Sequence, residues 1–196
     1  MFFSDYEDTR NIYHVAPITD LKEILENGIK YNDKSTYLSK YLDFHKYIDN
    51  HKKVDIPDWV KREHAIYATM NYPKDHDWHS HSVILGLKIN PERCWIANES
   101  LANKIYEPFI LKDVEIFNCA KDYLDKNGEN MCKRYWETSL SFLDNLKLRK
   151  DRVEDYDEEV LVFHDIKPED ITPMYIVSDH EFTTVEGWIE YFSKNV

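Results

Sequence analysis

The chain of 196 residues predicts an α+β fold, and three observations lead there. Short apolar, β-branched runs at Ile12–Val15, Ala65–Thr69, Val83–Ile89 and Glu159–His164 read as strands. Residues 99–150 instead carry apolar side chains at helical spacing. Helix start and stop signals lie near both ends of the chain.

In chain order, Ile12-Tyr13-His14-Val15-Ala16-Pro17 opens the fold, with alternation placing His14 on the opposite face from Tyr13. Thr19 then offers an N-cap, Leu21, Ile24 and Leu25 form an apolar stripe, and Gly28 fits the position past a helix end. Tyr37, Tyr41, Phe44 and Ile48 recur at helical spacing and predict a core-facing helix. Pro57 and Asp58 punctuate the chain before Trp59-Val60, and Ala65-Ile66-Tyr67-Ala68-Thr69 reads as another short strand. Val83–Ile89 predicts a central strand ended by Asn90-Pro91, and Cys94–Ala97 predicts another.

Residues 99–150 change character. Leu101, Ile105 and Phe109, then Tyr123 and Leu124, then Tyr135, Trp136, Leu140 and Leu143 predict a mostly helical insertion with breaks at Pro108 and Gly128. Glu159-Val160-Leu161-Val162-Phe163-His164 follows as a buried strand, closed by Lys167-Pro168. Thr183 with Glu186 reads as a capping box, and Val185, Trp188, Ile189 and Phe192 as the apolar side of a docked C-terminal helix.

The formal charge of −12 argues against a general nucleic-acid binder, because such affinity rests on phosphate neutralisation by Lys and Arg. The dense basic run, Lys147, Arg149, Lys150 and Arg152, reads as a solvated helix end. No apolar stretch is long enough for a membrane span, and Met1 to Asp8 lacks the pattern of a signal peptide. Cys94, Cys119 and Cys132 show no C-x-x-C spacing, which predicts free thiols in a reducing cytoplasm. Fourteen Tyr, nine Phe and five Trp suit a cleft that stacks planar ligands, and equally an aromatic core.

Glu159 is the residue on which a functional reading turns. A carboxylate at the mouth of a buried strand is rigidly held, as a group that stabilises developing positive charge must be. Without a ligand, the same residue is a solvated strand-end Glu with Asp155, Asp157 and Glu158 as neighbours.

Taken in order, three segments resemble the ADP-ribosyltransferase fold in its His-Tyr-Glu clade. Tyr13-His14 followed by Leu21-Lys22-Glu23-Ile24-Leu25-Glu26-Asn27-Gly28-Ile29 looks like that family's opening motif. Ile66-Tyr67-Ala68 is similar to the second-motif strand of the poly(ADP-ribose) polymerases. Glu159–Phe163, continuing to Pro173-Met174-Tyr175-Ile176-Val177, resembles their third motif, in which the catalytic Glu opens a strand. The first and third segments also look like the DarT nucleic-acid-modifying toxins. The resemblance leaves residues 95–155 uncovered.

The resemblance implies one domain over residues 1–196, with central antiparallel or mixed β-sheets, flanking helices and residues 99–150 as the helical insertion. It implies NAD as co-substrate and transfer of ADP-ribose to an acceptor, a toxin-like glycosyltransferase chemistry. Glu159 would be catalytic, His14 would donate a hydrogen bond to a ribose hydroxyl, and Tyr67 would stack on the nicotinamide. Tyr37 and Tyr72 are the other sources of a stacking face. Val15 stands where the polymerases carry Gly after the His, and Asp157, two positions before the Glu, does not indicate protein-arginine modification. The nearest candidate for the additional catalytic Arg of the DarT group is Arg62. The acidic balance favours a protein or small-molecule acceptor over nucleic acid.

Two alternatives stand beside this reading. One is a non-catalytic module of the same fold that senses NAD or ADP-ribose. The other is a metal-dependent hydrolase using Asp75-His76-Asp77-Trp78-His79-Ser80-His81, whose residue types suit Zn²⁺ but whose spacing matches no recognised site.

Overall fold

The elements run in the order α1 (Tyr6–Thr9), β1 (Asn11–Pro17), α2 (Leu21–Asn27), α3 (Ser39–Asp49), β2 (Ile66–Ala68), β3 (Ser82–Lys88), β4 (Cys94–Asn98) and α4 (Glu99–Leu111). They continue with α5 (Asn118–Thr138), β5 (Leu140–Ser141), α6 (Phe142–Leu148), β6 (Glu158–Val162), β7 (Ile171–Ser178), β8 (Glu181–Thr184) and α7 (Val185–Ser193). This computed structural model describes residues 2–33, 39–73, 76, 78–179 and 181–194. It is a mixed α+β chain with two four-stranded sheets, in the orders β1-β3-β7-β8 and β2-β6-β4-β5. The chain divides into two compact units, residues 1–30, 67–90 and 164–196, and residues 31–66 and 91–163.

In the first unit β3 is the central strand predicted from its apolar run, buried from Ser82 to Leu87. It pairs antiparallel with β1, His14 opposite Leu85, and with β7 on its other edge. The β7 register slips by one residue between Ile84 and Leu85, where Tyr175 and Pro173 are the successive partners. That bulge absorbs a proline inside a strand, because Pro173 lies outside the stretch of β7 paired to β8. Tyr13 is buried and stacks on Phe3 at 4.0 Å between ring centroids, while Tyr175 stacks on Phe182 at 4.2 Å.

Gly28 ends α2 as predicted, with φ of +75°. A Cβ there would lie 2.2 Å from the Ile166 carbonyl oxygen, so only glycine admits this close approach. Thr19 is not the N-cap. A 3-10 turn over Ile18–Asp20 precedes α2, and the Thr19 hydroxyl donates to Asp20 instead.

In the second unit β4 is buried throughout and β6 is buried from Glu159 onward. The two pair antiparallel, with Ala97 opposite Glu159 and Asn98 opposite Glu158. The helices of this unit depart from the predicted breaks. α4 runs through Pro108, with Leu101, Ala102, Ile105 and Phe109 buried, and α5 runs through Gly128. Burial of an apolar stripe outweighs the local cost of a proline or glycine. Gly128 serves packing: a Cβ there would lie 2.3 Å from the Tyr47 hydroxyl of α3. Trp136 of α5 also donates from its indole to the Ile48 carbonyl at 2.8 Å, tying α5 to α3.

At the C-terminal end the cap is Thr184, whose hydroxyl accepts from the Gly187 N–H, rather than Thr183, which completes a β8 pair with Ile176. Helix α7 buries none of its residues; Trp188, Ile189, Tyr191 and Phe192 are exposed. It is therefore less docked than its apolar pattern predicts.

Candidate functional site

Glu159 is the second residue of β6 and only 4 % exposed, which sets aside the solvated strand-end reading. Its neighbour across the strand pair is Ala97, a methyl group too small to fill the space beside a carboxylate. Arg62 and Tyr135 supply what faces the carboxylate. Arg62 Nη2 donates to Glu159 Oε2 at 2.8 Å, and the Tyr135 hydroxyl donates to Oε1 at 2.7 Å. Arg62 Nε in turn donates to the Tyr135 oxygen at 3.1 Å, closing a ring of three side chains.

A third guanidinium nitrogen, Nη1, faces His45 Nδ1. A guanidinium only donates, so His45 Nδ1 is an acceptor and the imidazole carries its proton on Nε2. Arg62 is 5 % exposed and lies over the rings of Phe44 and Tyr135, at 5.6 and 5.7 Å to the centroids. Such stacking suits the weakly hydrated, planar guanidinium.

Local backbone order fixes Arg62. It begins a 3-10 turn, Arg62–His64, whose first two N–H groups donate to the Asp49 carboxylate at 2.8 and 3.0 Å. Asp49 ends α3, so helix and turn are stitched together at one side chain. Burial pushes the Asp49 carboxyl up to about 6, against the lowering effect of those two hydrogen bonds. Glu99, first residue of α4, donates its backbone N–H to the Asp157 carbonyl at 2.7 Å. Burial first, then the Glu159 and Asp157 charges, push its carboxyl up to about 7, while Arg62 opposes them. The Glu99 residue is solvent-exposed, so water weakens both the burial and the charge contributions to that push. Burial, followed by the Glu159 and Glu158 charges, also raises the Tyr156 phenol, which donates to the Thr138 carbonyl at 3.1 Å.

His14 and Tyr67 come together in the first unit. His14 Nδ1 lies 2.6 Å from the Tyr67 carbonyl oxygen and donates to it, so the carbonyl fixes the ring's tautomer. Both residues are half-buried. Glu159 stands in the second unit, with Arg62, Tyr135 and His45 of that same unit as its surroundings. Tyr37 lies outside the described residues. Tyr72 and His76 instead join Trp78 in an aromatic cluster, with ring centroids 4.6 to 4.7 Å apart.

Among the described residues no group of three or more His, Cys, Asp and Glu is placed to hold a metal ion; Asp75 and Asp77 lie outside them. Cys94 and Cys132 are buried thiols, both raised by burial, Cys132 to about 12, while Cys119 is exposed. Among the described residues no helix is long and apolar enough to cross a membrane. The basic run is engaged locally: Lys147 pairs with Asp144, Arg149 with Asp151, and Lys150 donates to the Thr138 carbonyl.

No family model, curated protein or solved structure matches this chain. Sequence reasoning missed Tyr135 and His45 as partners of the site. The helical spacing of Tyr135 announced a buried ring and said nothing of where its hydroxyl would point.

Proposed function

We propose that the chain is an NAD-dependent ADP-ribosyltransferase in which Glu159 is the catalytic carboxylate. The observation that carries this reading is the setting of Glu159: start of a buried strand, 4 % exposed, one oxygen on Arg62 and the other on Tyr135. Cleavage of the nicotinamide–ribose bond leaves its electron pair on the departing nicotinamide and positive charge on the ribose ring. A fixed carboxylate in a site of low polarity stabilises that cation more than it stabilises the ground state. The acceptor nucleophile then bonds to the same ribose carbon and releases a proton to a base; Glu99, a carboxyl raised by the charges beside the Glu159 strand, serves as that base.

Each Glu159 oxygen has one of these donors and can accept a second, so a ribose hydroxyl can add to the ring without displacing Arg62 or Tyr135. By the family resemblance His14 and Tyr67, which meet within the first unit, are NAD-binding residues. The acceptor is a protein or small molecule rather than nucleic acid, because the net charge is −12 and Lys147, Arg149 and Lys150 of the basic run have local partners.

One observation favours a second reading. A donor on each Glu159 oxygen also suits a structural tie in a non-catalytic module that binds NAD or ADP-ribose. Purified chain incubated with NAD and cell lysate as acceptor source separates the two. Nicotinamide release supports the transferase; NAD binding by calorimetry without release supports the module; neither event refutes both.

A further inference from the structure

We propose that Tyr135 is a positioning residue for Glu159, through which helix α5 sets the direction of the carboxylate; this rests on the transferase reading. The geometry is specific. The Tyr135 ring is fully buried, packed edge-on against Trp136 at 4.9 Å between centroids and beneath the Arg62 guanidinium. Its single hydroxyl performs two tasks, accepting from Arg62 Nε at 3.1 Å and donating to Glu159 Oε1 at 2.7 Å. A hydroxyl has one proton to give, and the accepted bond from Arg62 leaves that proton directed at the carboxylate.

Glu159 has three side-chain torsions, and β6 fixes only where its Cα stands. Arg62 alone holds one oxygen and leaves the carboxylate plane free to turn about that contact. The second contact, from Tyr135, fixes the plane. Because α5 is tied to α3 through Trp136 and the Ile48 carbonyl, the donor is itself held by a long, packed helix. The predicted helical insertion, residues 99–150, thus contacts Glu159 through the Tyr135 hydroxyl.

The test removes that atom. Tyr135→Phe keeps the ring and its packing. Nicotinamide release and the side-chain carboxyl ¹³C resonance of Glu159 are then measured on the full chain, beside its melting temperature. The expected result is a fall in kcat of about 10²-fold, the scale of a misdirected catalytic group, with KM for NAD unchanged and the carboxyl resonance moved. An unchanged kcat and an unmoved resonance in folded Tyr135→Phe overturn the proposal. So does a rise in KM with kcat unchanged, which would mark Tyr135 as a binding group. If the natural chain releases no nicotinamide at all, the transferase reading fails on its own. The resonance then decides the positioning role, moved in its favour and unmoved against it. Should Tyr135→Phe not fold, 3,5-difluorotyrosine at position 135 keeps size and hydroxyl while making a stronger donor. It must move the same resonance for the proposal to stand.

Discussion

Replacing Arg62 by Met should be among the most destabilising single changes available in this chain. The Arg62 and Glu159 side chains are 6 % and 5 % exposed, so neither charge has water to fall back on. Met fills much of the same space but leaves Glu159 with only the Tyr135 hydroxyl, and His45 without its donor. Removing one partner of a buried ion pair costs about 3–5 kcal/mol, most of it the penalty on the charge left behind. Glu159→Leu should cost a similar amount, because it strands the guanidinium and removes the acceptor of the Tyr135 hydroxyl. At about 2 kcal/mol per molar urea, either change moves the unfolding midpoint by roughly 2 M. The double variant Arg62→Met with Glu159→Leu should recover most of that loss, since it buries no charge. Urea titration followed by tryptophan fluorescence reads all four proteins. Single variants within about 0.5 kcal/mol of the natural chain, or a double variant whose loss is the simple sum, would refute the closed network.

Three further outcomes follow from particular residues. Asp49 has a carboxyl raised to about 6 in the folded chain from an ordinary value of 3.8, so folding favours its protonated form. Its contribution is full below about pH 4 and is lost as pH rises through 6. Asp49→Asn should therefore flatten the fall in stability across that window, by about 3 kcal/mol at most, in melts compared at successive pH values. Gly28→Ala forces a left-handed backbone on alanine and a 2.2 Å contact with the Ile166 carbonyl; a loss of more than about 1 kcal/mol is expected in thermal unfolding, and a gain would contradict the close approach. Changing Lys147, Arg149, Lys150 and Arg152 together to Gln should leave transfer of labelled ADP-ribose in lysate undiminished and resistant to nuclease, whereas loss of label from nucleic acid would reverse the acceptor assignment.

The strands were the most legible part of the sequence. Continuous apolar runs announced β3, β4 and β6, because a strand buried on both faces has no polar alternation to obscure it. Burial along β1 does not follow the period-two alternation, since the adjacent Ile12 and Tyr13 are both buried. Helix interiors were less legible: Pro108 and Gly128 look like breaks locally, and only packing against α3 and the sheet shows why the helices pass through them. At the start of α7 two successive threonines competed for one cap, and the β8 pairing decided between them. Within the site, Glu159 could be picked out because the strand beginning there is a local signal. Its partners could not. Arg62 and Tyr135 lie 97 and 24 residues away in sequence, and no local pattern encodes a hydrogen bond over such separations.

The most direct test of the central claim is turnover by Glu159→Asp, which keeps the charge beside Arg62 but draws the carboxylate back by one methylene. The measurement is nicotinamide released per folded chain, with NAD affinity taken on the same sample. The account predicts a fall in turnover of about 10²-fold with NAD affinity little changed, since the lost interaction exists only when the ribose carries positive charge. Folded Glu159→Asp that releases nicotinamide as fast as the natural chain would contradict it.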